Sequence, residues 1–173
     1  MTPDRFPIRQ ATVADTHVIA DHRVLMFIDT GRLTPDAAAT MRKSLPPILQ
    51  PMLATGEYVG WLVTGKDSEI IAGAGVQVRR LLPRPETFLS REALVVNVYV
   101  EPDYRRRGLA RRLMQTILDW CRQQRIERVS LHASIMGRPL YESMGFTQTN
   151  ELVYYVRDAD ATRTGDNSES LSS

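Results

Sequence analysis

The chain predicts an α/β fold: a single domain built on a mixed, mostly antiparallel sheet flanked by about four helices. Three observations carry this expectation. The patterned segments run strand, helices, strands, then alternating helix and strand, an order that suits a sheet covered by helices. A β-branched run, Asn97-Val98-Tyr99-Val100, stops at Glu101-Pro102-Asp103 and passes through three arginines and Gly108 into an amphipathic helix. The length of 173 residues, with 43% apolar and 24% charged, suits one domain with a full hydrophobic core.

Residues 7–11 read as a short first strand, and Asp15 as the cap of the helix that follows. Val18, Ile19, His22, Leu25 and Met26 recur at helical spacing, so this helix reaches residue 28. Thr34-Pro35-Asp36 opens a second helix with threonine as cap and proline at the first position. Pro46-Pro47 should break it. Residues 58–64 and 70–81 are strands joined by a Gly65-Lys66-Asp67-Ser68 turn. Leu82-Pro83-Arg84-Pro85 is a loop before a strand over 93–100. The helix over 108–124 carries Leu109, Leu113, Ile117, Trp120 and Cys121 as one apolar stripe. Residues 129–133 form the next strand and 139–144 a short helix that Gly145 stops. A strand over 152–156 should close the sheet. The domain is expected over 1–157, with 158–173 a disordered polar tail of Thr, Ser, Asp, Asn and Gly.

A formal net charge of +2 argues against bulk electrostatic binding of nucleic acid. Cys121 is the lone cysteine, so no intramolecular disulfide forms and a reducing cytoplasm is the expected compartment. No apolar leader follows Met1, and no stretch approaches the ~20 apolar residues of a membrane span, so no membrane partner is expected. No His, Cys or Asp spacing suggests a metal.

Two segments carry the functional reading. Arg105-Arg106-Arg107-Gly108-Leu109-Ala110-Arg111 lies where a helix begins, and free N–H groups at the positive end of the helix dipole attract an anion there. Gly108 and Ala110 are small enough for a phosphate to approach the backbone, and the arginines add charge. About thirty residues on stands Pro139-Leu140-Tyr141-Glu142-Ser143-Met144-Gly145-Phe146. The first segment resembles the Arg/Gln-x-x-Gly-x-Gly/Ala pattern of the GCN5-related N-acetyltransferases (GNAT), and the second resembles their Leu-Tyr-Glu-x-x-Gly-Phe signature. Either alone is a weak signal. Both in order, with the strand-like Val129-Ser130-Leu131-His132 between them, are a strong one.

The resemblance implies acetyl-CoA as co-substrate, without a metal. Its pyrophosphate would meet the backbone of Arg106, Arg107, Gly108, Leu109 and Ala110, with Arg105 and Arg111 adjacent. Its pantetheine would run along Val98, Tyr99 and Val100, where an N–H of Val98 or Tyr99 polarises the thioester carbonyl. Tyr141 takes the position of the family's general acid; a tyrosine of pKa ~10 is protonated at pH 7 and can supply the proton that a thiolate leaving group needs. Many members carry an asparagine shortly before that tyrosine; here Ser134 or Arg138 would substitute. The attacking amine must lose a proton, and Glu92, His132 and His22 stay open as its acceptor. Arg23, Asp29, Glu57 and Glu92 are charged candidates near the acceptor site, while Met26, Phe27, Met41 and Met52 either line a pocket or pack as core. The reading is an N-acetyltransferase that acts on a primary amine of a small molecule or peptide by direct attack in a ternary complex. The alternative is a non-catalytic acyl-CoA-binding or protein-interaction module on the same fold. A homodimer is left open.

Overall fold

The computed structural model describes residues 6–83, 85, 88 and 90–155. The first strand, β1 (Ile8–Gln10), leads through a 3-10 turn into helix α1 (Thr16–Asp29). Asp15 acts one turn earlier than the sequence suggests. Its carboxylate accepts from the Thr12 N–H at 2.8 Å and pairs with Arg9, so it closes the turn instead of capping α1 with its side chain. Arg9 and Thr12 hold this carboxyl down at about 2, against a usual value near 4.

Thr34 Oγ1 accepts from the Ala37 N–H and starts α2 (Pro35–Ser44). The break at Pro46-Pro47 is real: α2 ends at Ser44 and α3 (Pro46–Thr55) begins with a proline where a missing N–H costs nothing. Three long strands follow: β2 (Tyr58–Thr64), β3 (Ile70–Arg80) and β4 (Arg91–Val100). Arg84, part of the expected loop before β4, lies outside the described residues. Helix α4 (Leu109–Gln123) then crosses over to β5 (Arg128–Leu131), and α5 (Arg138–Glu142) is the short helix expected before Gly145, whose φ of +93° ends it.

The sheet order is β1-β2-β3-β4-β5, antiparallel except for the final parallel β4–β5 pair. A parallel pair requires a crossover, and α4 is it. Alternation along β2 sends Val59, Trp61 and Val63 to one face, where Leu113, Met114, Ile117 and Cys121 of α4 are sealed against them. Tyr58 and Leu62 point to the other face, against Ile19 and Ala20 of α1 and Leu49 of α3. Gly73 and Gly75 of β3 leave that second face open for large rings. A Cβ on Gly73 would come within 2.9 Å of His22 Nδ1, and one on Gly75 within 2.2 Å of Tyr58 Oη.

One expected strand is absent. Residues 151–155 carry no regular structure, so β5 ends the sheet and the expected closure over 152–156 is corrected; Val156 and the expected tail lie outside the described residues. Leu152 and Tyr154 are almost fully exposed. Their β-propensity fits a pleated surface, but a strand exists only where ladder hydrogen bonds form, and none is made here among the described residues.

Candidate active site

Strand β4 changes phase in its middle. Val96 pairs with Gly75 and Tyr99 with Gly73, so Asn97 and Val98 share the space opposite Ala74, a β-bulge. Asn97 adopts φ +60°, a left-handed conformation that asparagine tolerates better than its β-branched neighbours. Before the bulge, Ala93 and Val95 face α4; after it, Val98 and Val100 do, while Asn97 and Tyr99 turn toward α1. In the sequence the one sign of this bulge is an asparagine inside a Val-rich run.

Pairing with β5 stops at the Val95–Leu131 rung, so the second half of β4 has lost its neighbour on that edge. Here Val98, Tyr99 and Val100 come together with the loop that follows. Glu101-Pro102-Asp103-Tyr104 makes a 3-10 turn. Arg105 then folds back: its Nε donates to the Val100 carbonyl at 2.9 Å and its guanidinium pairs with Asp29 at the end of α1. Arg106 is left-handed at φ +58° and Gly108 at φ +77°. Alternating hand of this kind turns successive N–H groups inward and makes an anion-binding concavity. No backbone hydrogen bond among the described residues uses the N–H groups of Arg106, Arg107 or Gly108, and those of Leu109, Ala110 and Arg111 are the free first turn of α4. A Cβ built on Gly108 meets nothing within 4 Å, so the concavity opens outward.

The arginine side chains do different things. Arg106 is exposed, and Arg107 lies over the Tyr104 ring and donates to the Asp103 carbonyl at 3.0 Å. Arg111 donates to Ser143 Oγ at 2.6 Å, which ties the start of α4 to the end of α5. Tyr141 stands two residues before Ser143, in the last turn of α5. The Tyr141 ring packs on the same core cluster as Val98, Val100 and Leu131, with Phe146 6.0 Å away. Its hydroxyl bonds to no described residue and is reachable by solvent, and burial of the ring pushes its pKa up, so it is protonated at neutral pH. Ser134 Oγ accepts from the Gly137 N–H at 3.1 Å and helps to start α5.

Of the candidate bases, Glu92 is buried at the opposite end of β4, where Arg128 at 2.5 Å, Arg79 and Ser130 hold it, an ion-pair role. His132 is exposed just beyond β5. His22 is buried against Tyr99, ring centroids 5.0 Å apart, and burial lowers its pKa to about 4. Tyr99 is pushed up to about 12, first by burial and then by Glu101. A chain of side chains crosses behind the bulge: Arg23 donates to Asn97 Oδ1 at 2.6 Å, and Asn97 Nδ2 donates to the buried Tyr58 Oη at 3.2 Å. No group of three or more His, Cys, Asp or Glu among the described residues could hold a metal. No helix among them is long and apolar enough to cross a membrane.

Comparison with known proteins agrees with this architecture. The profile of the acetyltransferase (GNAT) family matches residues 32–146. A GCN5-related N-acetyltransferase from Ralstonia eutropha JMP134 is similar at 31% identity and TM-score 0.81, over 87% of this chain and 98% of that one. A predicted acetyltransferase from Clostridium acetobutylicum, solved with acetyl-CoA, is 26% identical with a TM-score of 0.80, over 87% and 96%. The glucosamine-6-phosphate N-acetyltransferase of Arabidopsis thaliana shares the fold at 18% identity and TM-score 0.66, over 90% and 100%. No curated protein matches the chain in sequence. A split β4–β5 pair, a loop of unused N–H groups before α4 and a tyrosine on α5 are thus set on a shared scaffold, and the chain belongs to the GCN5-related N-acetyltransferase family.

Proposed function

We propose that the chain transfers the acetyl group of acetyl-CoA to a primary amine on a small molecule or peptide, by direct attack within a ternary complex. The observation that carries this reading is the concavity of unused N–H groups over Arg106 to Arg111, directly after the strand whose edge β5 leaves free. The residues fit the co-substrate: a pyrophosphate suits the N–H groups and helix dipole, and a pantetheine amide suits the free edge of Val98 to Val100. Acetyl-CoA supplies an activated thioester. The protein supplies alignment, an N–H from Val98 or Tyr99 for the charge that develops on the carbonyl oxygen, and a proton from Tyr141 for the departing sulfur. Arg105 acts through the backbone, by holding the loop to Val100 and α1.

Tyr141→Phe tests the reading. The ring and its packing on Phe146 remain, so acetyl-CoA affinity should stay within about twofold, while turnover on an amine panel falls by ~10²-fold. Equal turnover in the two proteins, with chemistry rate-limiting, would remove the acid role. Intact acetyl-CoA binding without transfer to any amine would leave a binding module.

A further inference from the structure

The acceptor side of the cleft carries charge that the protein does not neutralise. Arg23 of α1 is half-buried beside the β4 bulge, with its guanidinium bonded to the Asn97 amide and 5.0 Å from the centre of the Phe27 ring. Arg32, three residues past the end of α1, stands 5.2 Å from the same ring centre, so two like charges share one aromatic side chain. Burial works against the charge on Arg23; Tyr58 partly offsets this, and Arg32 adds to it. The carboxylates of α1 are committed elsewhere: Asp21 accepts from Arg42 at 3.1 Å, and Asp29 pairs with Arg105. Among the described residues no carboxylate pairs with Arg23 or Arg32, and Asn97 is the one hydrogen-bond partner of the Arg23 guanidinium. Its direction is set in turn, because the left-handed Asn97 backbone and the Asn97–Tyr58 bond fix the amide that holds it.

A half-buried guanidinium with spare N–H groups and no acid of its own suits an acid from outside. Resting on the acetyltransfer reading above, we infer that the amine acceptor carries an anionic group, a carboxylate or a phosphate monoester, which Arg23 binds with Arg32 at the rim. The anion then anchors the acceptor on the α1 face of the bulge, with its amine toward the free edge of β4. Polycationic acceptors are repelled there.

The test uses matched acceptors: amino acids against their C-terminal amides, glucosamine 6-phosphate against glucosamine, and spermidine as a polycation. Wild type, Arg23→Gln and Arg23→Lys are compared. At least one anionic acceptor should exceed its uncharged twin by about tenfold in kcat/KM. In Arg23→Gln that ratio should fall toward one through KM, and in Arg23→Lys part of it should return. Acetyl-CoA affinity, read by calorimetry, should be unchanged in all three. The amino-acid and sugar arms separate carboxylate from phosphate. A purely structural role of Arg23 would weaken both members of each pair alike and keep their ratio; that result, or a wild-type preference for amides, glucosamine or spermidine, overturns the inference. Should acetyl-CoA bind and no amine be acetylated, the transfer reading fails separately. Calorimetry of the same anions on the CoA-loaded protein then decides: binding that Arg23→Gln abolishes supports the anion site, and no binding overturns it.

Discussion

At Gly108 the chain turns left-handed with no Cβ to strain it or to fill the space in front of its N–H. Its φ of +77° strains a residue with a Cβ, and that Cβ would meet no protein atom within 4 Å, so a side chain there would project into open space beside the N–H groups. Arg106 shares the left-handed backbone, yet its side chain is exposed and its charge is screened by solvent. The two positions therefore separate backbone from side-chain binding. Gly108→Glu should abolish measurable acetyl-CoA binding in calorimetry, since it adds strain, bulk and negative charge where the phosphates would sit. Arg106→Ala should weaken binding only about two- to fivefold. Equal affinity in wild type and Gly108→Glu would remove the loop from the site.

Among the elements, β4 and the loop after it form one mechanical unit, closed by Arg105. That side chain holds the Val100 carbonyl and, through Asp29, the end of α1. Asp29→Asn removes only a largely exposed ion pair, which is typically worth ~0.2–1 kcal/mol, so acetyl-CoA affinity should fall no more than about fivefold. Arg105→Ala removes both links and should cost more, with little change in melting temperature; the reverse ranking by calorimetry would mean that α1 does not steady the loop. Much of this unit was legible in the sequence. The strand, the Pro102 turn, the helix start after Gly108 and the tyrosine helix follow from local chemistry, and local chemistry is what a sequence writes most directly. The bulge at Asn97 was not, because it depends on how β4 registers against β3, a relation between segments more than twenty residues apart. The Arg23–Asn97–Tyr58 chain escaped for the same reason, since three separate elements contribute to it. The strand expected over 152–156 erred the other way: its residues favour β-structure, but propensity does not name a partner edge.

Over the whole molecule, the buried His22 makes stability depend on pH. Its pKa is about 4 when folded, against 6.5 unperturbed, so between those values the unfolded chain binds a proton that the folded one excludes. The contribution of His22 is full above pH 6.5 and declines as pH falls toward 4, amounting to a loss of roughly 2 kcal/mol at pH 5. Urea unfolding at pH 7.5 and pH 5 should show that loss in wild type and a smaller one in His22→Gln; identical slopes would mean that water reaches the ring. Residues 158–173 carry Leu171 as their one large apolar side chain. Deletion of residues 162–173 should leave melting temperature and acetyl-CoA affinity unchanged, and a large drop in either would mean that this segment docks. The strand order bears on how the chain comes to exist at all. Because β1 to β5 stand in the sheet in chain order, each pairs with the strand made just before it, and none has to wedge between two paired neighbours. Arg106 to Arg111 and Tyr141, proposed above to serve acetyl-CoA, follow β1 to β4 in the chain, so they are made after the strands that would carry them.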